Sequence, residues 1–387
     1  MNKGFSSLLM TYPTSGIRKM FDMAADYPGF INLCNGEPDF TTPAHICEAA
    51  KEGLDMGLTK YAPEPGLPIL REALAQKCTA QFGYTVTPDQ IVVSGGGVEA
   101  IMLSLMSIIN PGDEVIIPDP AYTCYVGQAQ LLGAKVVRLP LLEENGFCPT
   151  AQQLEELITP QTKALILNYP NNPTGAVLTQ QAAQEIVPVL QKHGIWVISD
   201  EVYENIVFDG YTHISLAHFD DIQDQVIVTN SFSKTYAMTG WRLGYLFSRN
   251  QSLMQRIPKM HQPLTACLPG FIQYAGAKAV QGPQTCVEEM VQHYTNRRAL
   301  MQKELAGIKG LRPVKNDGTF CFYISIAESG MSSDEVSARL LKEAGVLTTP
   351  GTAFGENGSQ YLRLSFANAE DKIAEGMSRI RRFFAGL

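Results

Sequence analysis

Short runs of apolar residues, each closed by turn-forming residues, recur through the middle of the chain and alternate with segments of helical period. Ile91-Val92-Val93-Ser94, Glu114-Val115-Ile116-Ile117, Ala164-Leu165-Ile166-Leu167 and Trp196-Val197-Ile198-Ser199 are the clearest, and Val226-Ile227-Val228-Thr229 and Leu243-Gly244-Tyr245-Leu246 extend the set. Strand-length runs without polar alternation suit central strands covered on both faces. Strands that alternate with helices predict an α/β fold with a mostly parallel central sheet flanked by helices. The first run passes through Gly95-Gly96-Gly97 into a helical stretch carrying Ala100, Ile101, Leu103 and Leu105.

Past about residue 280 the texture changes. A helical segment is expected over roughly 286 to 308, followed by a strand at Thr319-Phe320-Cys321-Phe322-Tyr323-Ile324. The chain closes with an amphipathic helix, for which Asn368 is the expected N-cap, Asp371 sits in the first turn, and Ile373, Met377, Ile380 and Phe384 share one face. The pattern predicts a large domain over 46–280 and a smaller α+β domain over 281–387, with residues 1–45 packing back onto the smaller one.

A net charge of −8 over 387 residues, without a basic block, argues against nucleic acid as a partner. No apolar run approaches the ~18 residues of a membrane helix, and the first residues lack a secretory apolar stretch. The eight cysteines include no C-x-x-C pair, so neither a zinc site nor a disulfide framework is expected and a reducing cytoplasm is the expected setting.

Chemistry concentrates at the ends of the apolar runs. Ser231-Phe232-Ser233-Lys234 is followed by Thr239-Gly240-Trp241-Arg242. A lysine so placed is a solvated charge or an amine that forms a Schiff base to an aldehyde, with Ser231, Ser233 and Arg242 holding a phosphate. Asp200 closes the run that starts at Trp196. It is suited either to cap the next segment or to keep a pyridine nitrogen protonated, with Tyr203 and Asn172 reaching the ring oxygen. The cluster Asn168-Tyr169-Pro170-Asn171-Asn172-Pro173-Thr174-Gly175 is a rigid loop on either reading. Gly95-Gly96-Gly97 serves a tight turn or a phosphate at a helix N-terminus, yet it matches neither a dinucleotide fingerprint nor a P-loop. Tyr122, after Pro118-Asp119-Pro120-Ala121, is a core aromatic or a ring-stacking one. Arg363, between two leucines of an alternating strand, needs an anionic partner, whether a structural ion pair or a substrate carboxylate.

In this order and spacing the motifs resemble the class I/II aminotransferases, the fold-type-I pyridoxal-phosphate enzymes that include aspartate and aromatic aminotransferases. The resemblance runs from Ser15-Gly16-Ile17-Arg18 and Gly36-Glu37-Pro38-Asp39-Phe40 through Lys60-Tyr61, Gly66 and Leu70-Arg71. It continues through the glycine turn, Asn172-Pro173-Thr174-Gly175, Asp200-Glu201 with Tyr203, the Lys234 motif and Arg242, and ends at Arg363-Leu364-Ser365. It implies that pyridoxal 5′-phosphate is bound covalently by Lys234, which then shuttles a proton. Asp200 would face the pyridine nitrogen, Tyr203 and Asn172 its ring oxygen, and Tyr122 its face. Ser231, Ser233, Arg242 and the backbone of Gly96, Gly97 and Val98 would hold the phosphate. Gly36 and Arg363, with Asn172 nearby, would hold the substrate carboxylate. Tyr61 would reach the neighbouring subunit's phosphate, which implies a homodimer with shared sites.

The implied reaction moves the amino group of an L-amino acid to a 2-oxo acid, 2-oxoglutarate above all, in a ping-pong cycle. A carbon–sulfur β-lyase or another reaction at Cα starts from the same carbanion and stays open. The chain departs from the family at Val98, where some dicarboxylate-specific relatives carry lysine, at Ser94, where threonine is frequent, and in the weakly polar Thr265–Gly270 stretch before Gln273. The donor's side chain therefore stays open, with Arg18 the candidate for a second carboxylate.

Overall fold

The computed structural model describes residues 4–12 and 16–387, so Ser15 of the first N-terminal motif lies outside the described residues. Near the N-terminus a two-residue strand, β1 (Ile31–Asn32), precedes the main sheet. That sheet is built from β2 (Ile91–Ser94), β3 (Glu114–Asp119), β4 (Lys135–Pro140), β5 (Thr162–Asn168), β6 (Trp196–Asp200), β7 (Val226–Ser231) and β8 (Gly244–Phe247). Their spatial order is β2-β8-β7-β6-β5-β3-β4. Pairing is parallel from β7 through β6, β5 and β3 to β4, and only β8 runs antiparallel, to β7 on one side and β2 on the other.

Every apolar run singled out above forms a strand of this sheet. The physical reason is coverage on both faces: Leu165, Ile166, Val197 and Ile198 are fully buried, each stabilising the fold by about 1.5–3 kcal/mol relative to exposure. One cluster of buried side chains lies on one face of the sheet, around Leu165, Leu167 and Val197, and a second on the other, around Ile166, Ile198 and Ile227. Strand β4 escaped the sequence reading because it is an edge strand, with Lys135 and Arg138 exposed.

The C-terminal part carries β9 (Arg312–Pro313), β10 (Cys321–Ser325), β11 (Val346–Leu347), β12 (Thr349–Pro350) and β13 (Tyr361–Ser365). Four of these form an antiparallel sheet in the order β12-β13-β10-β9, while β11 pairs in parallel with β1. The early segment thus returns to the C-terminal part, register Ile31 to Val346 and Asn32 to Leu347. The expected strand at 319–324 begins two residues later, because Thr319 adopts a φ of 63°, outside the extended region. The long helix is Thr285–Leu305. Among the described residues no helix is long and apolar enough to cross a membrane.

The last helix, Glu370–Ala385, buries Ile373, Met377, Ile380 and Phe384 as its periodicity predicts. Its cap differs from expectation. Ala369 occupies the N-cap and makes no side-chain cap bond; Asn368 instead donates its amide to the Asn32 carbonyl, 2.7 Å away. A tertiary partner has taken the residue whose type marked it as a cap. The N-cap position is exposed and extended, so Ala369→Ser should supply the missing acceptor and raise unfolding free energy by about 0.5–2 kcal/mol. The check is the urea midpoint at constant slope; an unchanged midpoint would mean the first-turn amides are already satisfied.

Candidate active site

Strands β2, β3, β5, β6 and β7 run in one direction, so their carboxyl ends open on one edge of the sheet. A cavity of about 290 Å³ lies there. Its walls include Gly36, Gly97, Val98, Tyr122, Asn172, Asp200, Tyr203, Ser231, Ser233, Lys234, Arg242 and Arg363. Of the residues singled out from sequence, Gly96 and Tyr61 are not in its lining. Gly96 is the N-cap of the Gly97–Ile108 helix, with φ 89° and ψ 174°. A Cβ there would fall 2.5 Å from an Arg242 guanidinium nitrogen, so the turn needs glycine. Tyr61 is 92% exposed.

Lys234 lies in a single helical turn, Phe232–Thr235, directly after β7. Burial is the main cause that lowers its pKa to about 8, with Arg363 and Arg242 pushing the same way and Cys321 and Glu37 opposing. Its Nζ donates to the Gly36 carbonyl and lies 5.8 Å from the centre of the Phe320 ring. An amine with a depressed pKa has a larger neutral fraction near neutrality, which is the form that attacks a carbonyl.

Asp200 ends β6 and is buried. Burial raises its pKa to about 6, while a hydrogen bond from the Tyr125 hydroxyl, 2.6 Å from Oδ2, works against that rise. Asn168 donates to the Asp200 backbone carbonyl at 2.9 Å. Beneath it, Glu201 accepts from Ser199, Ser215 and His213, and Glu204 accepts from Lys77 at 2.6 Å and Gln81 at 2.9 Å. Glu201, Glu204 and His213 stand close enough together to suggest a cation site, but Lys77 already supplies the positive charge. The network pins the turn that carries Asp200 and Tyr203.

The remaining groups gather by charge. Ser231 donates to Ser233 Oγ at 2.9 Å, and Arg242 hydrogen-bonds the Thr239 and Gly95 carbonyls at 2.8 and 3.1 Å. These groups surround the start of the Gly97–Ile108 helix, whose free amides favour an anion. Glu99 in that first turn accepts from the Gly95 amide and the Thr265 hydroxyl. Burial pulls its carboxyl up, yet bonds from His261, Thr265 and Gly95 prevail and hold it at about 2. The Thr265–Gly270 stretch, unusual by sequence, therefore supports the glycine turn.

Arg363 on β13 is 1% exposed. Its guanidinium donates to Asn172 Oδ1 at 3.1 Å and to the Cys34 carbonyl at 2.7 Å, and its Nε has no partner. Among the described residues no carboxylate forms an ion pair with it. A buried guanidinium without a counter-ion is costly, so the site is built for an incoming anion. Arg18 plays no part in the cavity: it is exposed and pairs with Asp22 at 3.0 Å.

Sequence reasoning missed Tyr125, Cys34, Phe21, Ile101 and Val202 in the lining, and took Thr239 only as part of the motif that leads to Arg242. Only Tyr125 left a trace, its three-residue spacing from Tyr122 at the start of a helix. Described side chains thus offer an amine, an anion cradle, a buried carboxylate and a buried guanidinium around one cavity, which fits an aldehyde cofactor carrying a phosphate and a carboxylate-bearing substrate.

Comparison with known proteins identifies the family. The family model "Aminotransferase class I and II" matches residues 28–380. The aromatic-amino-acid aminotransferase 2 of Thermococcus litoralis is 43% identical over 95% of this chain and 95% of its own length. The aspartate aminotransferase of Pyrococcus horikoshii is 39% identical over 96% of this chain and 95% of its own. The crystal structure of an aromatic aminotransferase from Pyrococcus horikoshii superposes with a TM-score of 0.90 at 41% identity, covering 95% of this chain and 99% of that one. With an end-to-end family match and this fold, the chain belongs to the class I and II aminotransferases, enzymes that transfer amino groups between amino acids and 2-oxo acids.

Proposed function

We propose that the chain binds pyridoxal 5′-phosphate through Lys234 and uses it to move the amino group of an L-amino acid to a 2-oxo acid such as 2-oxoglutarate. The observation that carries this reading is the unpaired, buried Arg363 facing the same cavity as the depressed-pKa Lys234. Bound there, the cofactor would supply a ring that withdraws electrons from the substrate Cα. Ser231, Ser233, Arg242 and the amides at Gly96, Gly97 and Val98 would hold its phosphate. Asp200, kept toward the ionised form by Tyr125, would hold a proton on the ring nitrogen; Tyr203 and Asn172 would orient the ring oxygen, and Tyr122 would cover its face.

Arg363, with Gly36 and Asn172 beside it, would hold the substrate carboxylate and so orient the Cα–H bond toward the Lys234 amine, which moves the proton. The depressed pKa of Lys234 suits that exchange, because an amine titrating near neutrality both accepts and returns a proton readily.

The cavity also bears on the donor. Its lining cations are Lys234, Arg242 and Arg363, each with a role already, and the side chains left over carry no further cation and are mostly apolar, among them Phe21, Ile101 and Val202, with Thr239 and Asn168 polar but neutral. We infer that a donor with an aromatic or apolar side chain is preferred over one with a second carboxylate. The exposure of Tyr61 outside its own cavity supports a homodimer in which it serves the partner's phosphate. Eight unpaired cysteines support a reducing, cytoplasmic setting. The return of β1 to β11 supports two lobes divided as 46–280 and 1–45 with 281–387.

Purified protein with pyridoxal phosphate should show a yellow absorbance band that bleaches with phenylalanine and returns with 2-oxoglutarate, and Lys234→Ala should lose both the protein-linked band and turnover. A persistent band with pyruvate and ammonia accumulating from cysteine would mean lyase chemistry instead. Arg363→Ala removes one partner of a buried charge pair, so donor KM should rise by more than roughly 30-fold, about 2–5 kcal/mol, with cofactor affinity little changed; equal losses of both would place Arg363 elsewhere. Tyr125→Phe deletes a donor that lowers the Asp200 pKa, so that pKa rises and the acid limb of kcat/KM moves to higher pH. An acid limb that stays put would separate Tyr125 from the chemistry.

A further inference from the structure

Asp119, the last residue of β3, is 3% exposed, yet among the described residues it has no lysine or arginine within ion-pairing distance. Its carboxylate instead takes two backbone amides from a loop far along the chain. Glu356 N–H lies 3.1 Å from Oδ2 and Asn357 N–H 3.3 Å from Oδ1. The Asn357 side chain adds a longer bond to the Asp119 carbonyl, at 3.5 Å. A buried carboxylate is tolerated only where donors surround it, so the loop and the carboxylate hold each other in place.

Two features make this contact specific. Gly355, at φ 147°, comes so close that a Cβ there would fall 1.9 Å from Asp119 Oδ1. The loop therefore approaches the carboxylate only with glycine at that position. One residue earlier, the Phe354 carbonyl accepts the Ala121 amide at 2.9 Å, next to Tyr122 of the cavity wall. The Phe354 ring itself is buried with its centre 5.0 Å from the Arg363 guanidinium carbon.

We propose that Asp119 is a positioning residue for the substrate carboxylate: it fastens the 354–357 loop to the end of β3 and so sets Phe354 against Arg363. Its backbone, unlike its carboxylate, is held independently of the loop. The Asp119 carbonyl also accepts the Leu141 amide at 2.9 Å, and β3 pairs with β4 as far as Asp119. When the carboxylate is removed, the sheet stays and the loop is what shifts. The effect therefore falls on Phe354 and Arg363, and the phosphate cradle, whose Ser231, Ser233 and Arg242 bonds do not involve the loop, is spared. This rests on the aminotransferase reading of the cavity given above.

The test compares Asp119→Ala, Asp119→Asn and Gly355→Ala, each with pyridoxal phosphate bound. Donor KM should rise roughly ten-fold or more in Asp119→Ala, the scale of a lost charge-assisted hydrogen-bond pair. Gly355→Ala should match it, and Asp119→Asn, which keeps one acceptor oxygen, should fall between. The cofactor dissociation constant, from equilibrium dialysis, should stay near the wild-type value. Because both single changes break one contact, Asp119→Ala with Gly355→Ala should cost little more than either alone. An unchanged KM, or a cofactor affinity that falls in step with it, overturns the proposal.

Hydrogen exchange at the Glu356 and Asn357 amides supplies a readout independent of the reaction. These amides should be protected in wild type and should lose protection in Asp119→Ala, with or without cofactor. Protection retained in Asp119→Ala overturns the latch. A wild-type protein that binds no pyridoxal phosphate would instead defeat the functional proposal, and the exchange result would still decide the latch.

Discussion

A sheet covered on both faces has nowhere to place polar chemistry except at the ends of its strands. Within β5, β6 and β7 the backbone groups pair along the sheet, and the side chains meet apolar partners above and below. A charged group midway along these strands would be buried without a partner. At the carboxyl ends the strands give way to turns, and there the chain sets Asp119, Asn168, Asp200 and Ser231 side by side. The parallel order of the sheet aims all of these ends at one edge. Hydrophobic coverage and strand direction thus decide where the cavity lies before any functional residue is chosen.

The electrostatics of that edge are asymmetric. Three cations, Lys234, Arg242 and Arg363, line the cavity against one carboxylate, Asp200. Lys234 answers by losing basicity and Asp200 by gaining it, each shift driven first by burial. Arg363 has no such release, since a guanidinium does not give up its proton in a protein. It keeps its charge in a buried site and leaves Nε unsatisfied. The surplus positive charge would be balanced by entering anions, the phosphate and the carboxylate of the proposed ligands.

Much of this was legible in the sequence, for a physical reason. Short runs of three or four mostly apolar residues have few structural uses, so the central strands could be read directly, and candidate site side chains at strand ends could be placed from the strand boundaries. Two kinds of information were not local. Edge strand β4 mixes Lys135 and Arg138 with Val136 and Val137, since its outer side needs no cover. Partnerships across the fold were equally hidden. Tyr125 meets Asp200 from 75 residues away, Asp119 meets Glu356 across 237, and Asn368 leaves its expected capping role for a carbonyl 336 residues distant. Composition near a residue states what it is able to bond; only topology states what reaches it.

The unpaired Arg363 and the depressed Lys234 are costs carried by the fold, and the proposed cofactor and substrate would relieve both. A group that binds the folded chain and not the unfolded one stabilises it in proportion to RT ln(1 + [L]/Kd). Stability and catalysis are therefore linked through the same atoms: whatever sets the geometry around Arg363 also sets how much a carboxylate ligand steadies the C-terminal sheet. Asp119 belongs to that linkage from the far side. It is a buried carboxylate whose donors are loop amides, and Arg363 is a buried cation with no carboxylate partner among the described residues; the loop that meets Asp119 also sets Phe354 5.0 Å from Arg363. The protein keeps the two apart. A direct Asp119–Arg363 pair would satisfy both charges and leave the guanidinium nothing to offer a substrate. Holding the loop with the carboxylate, and the carboxylate with the loop, leaves Arg363 free for chemistry.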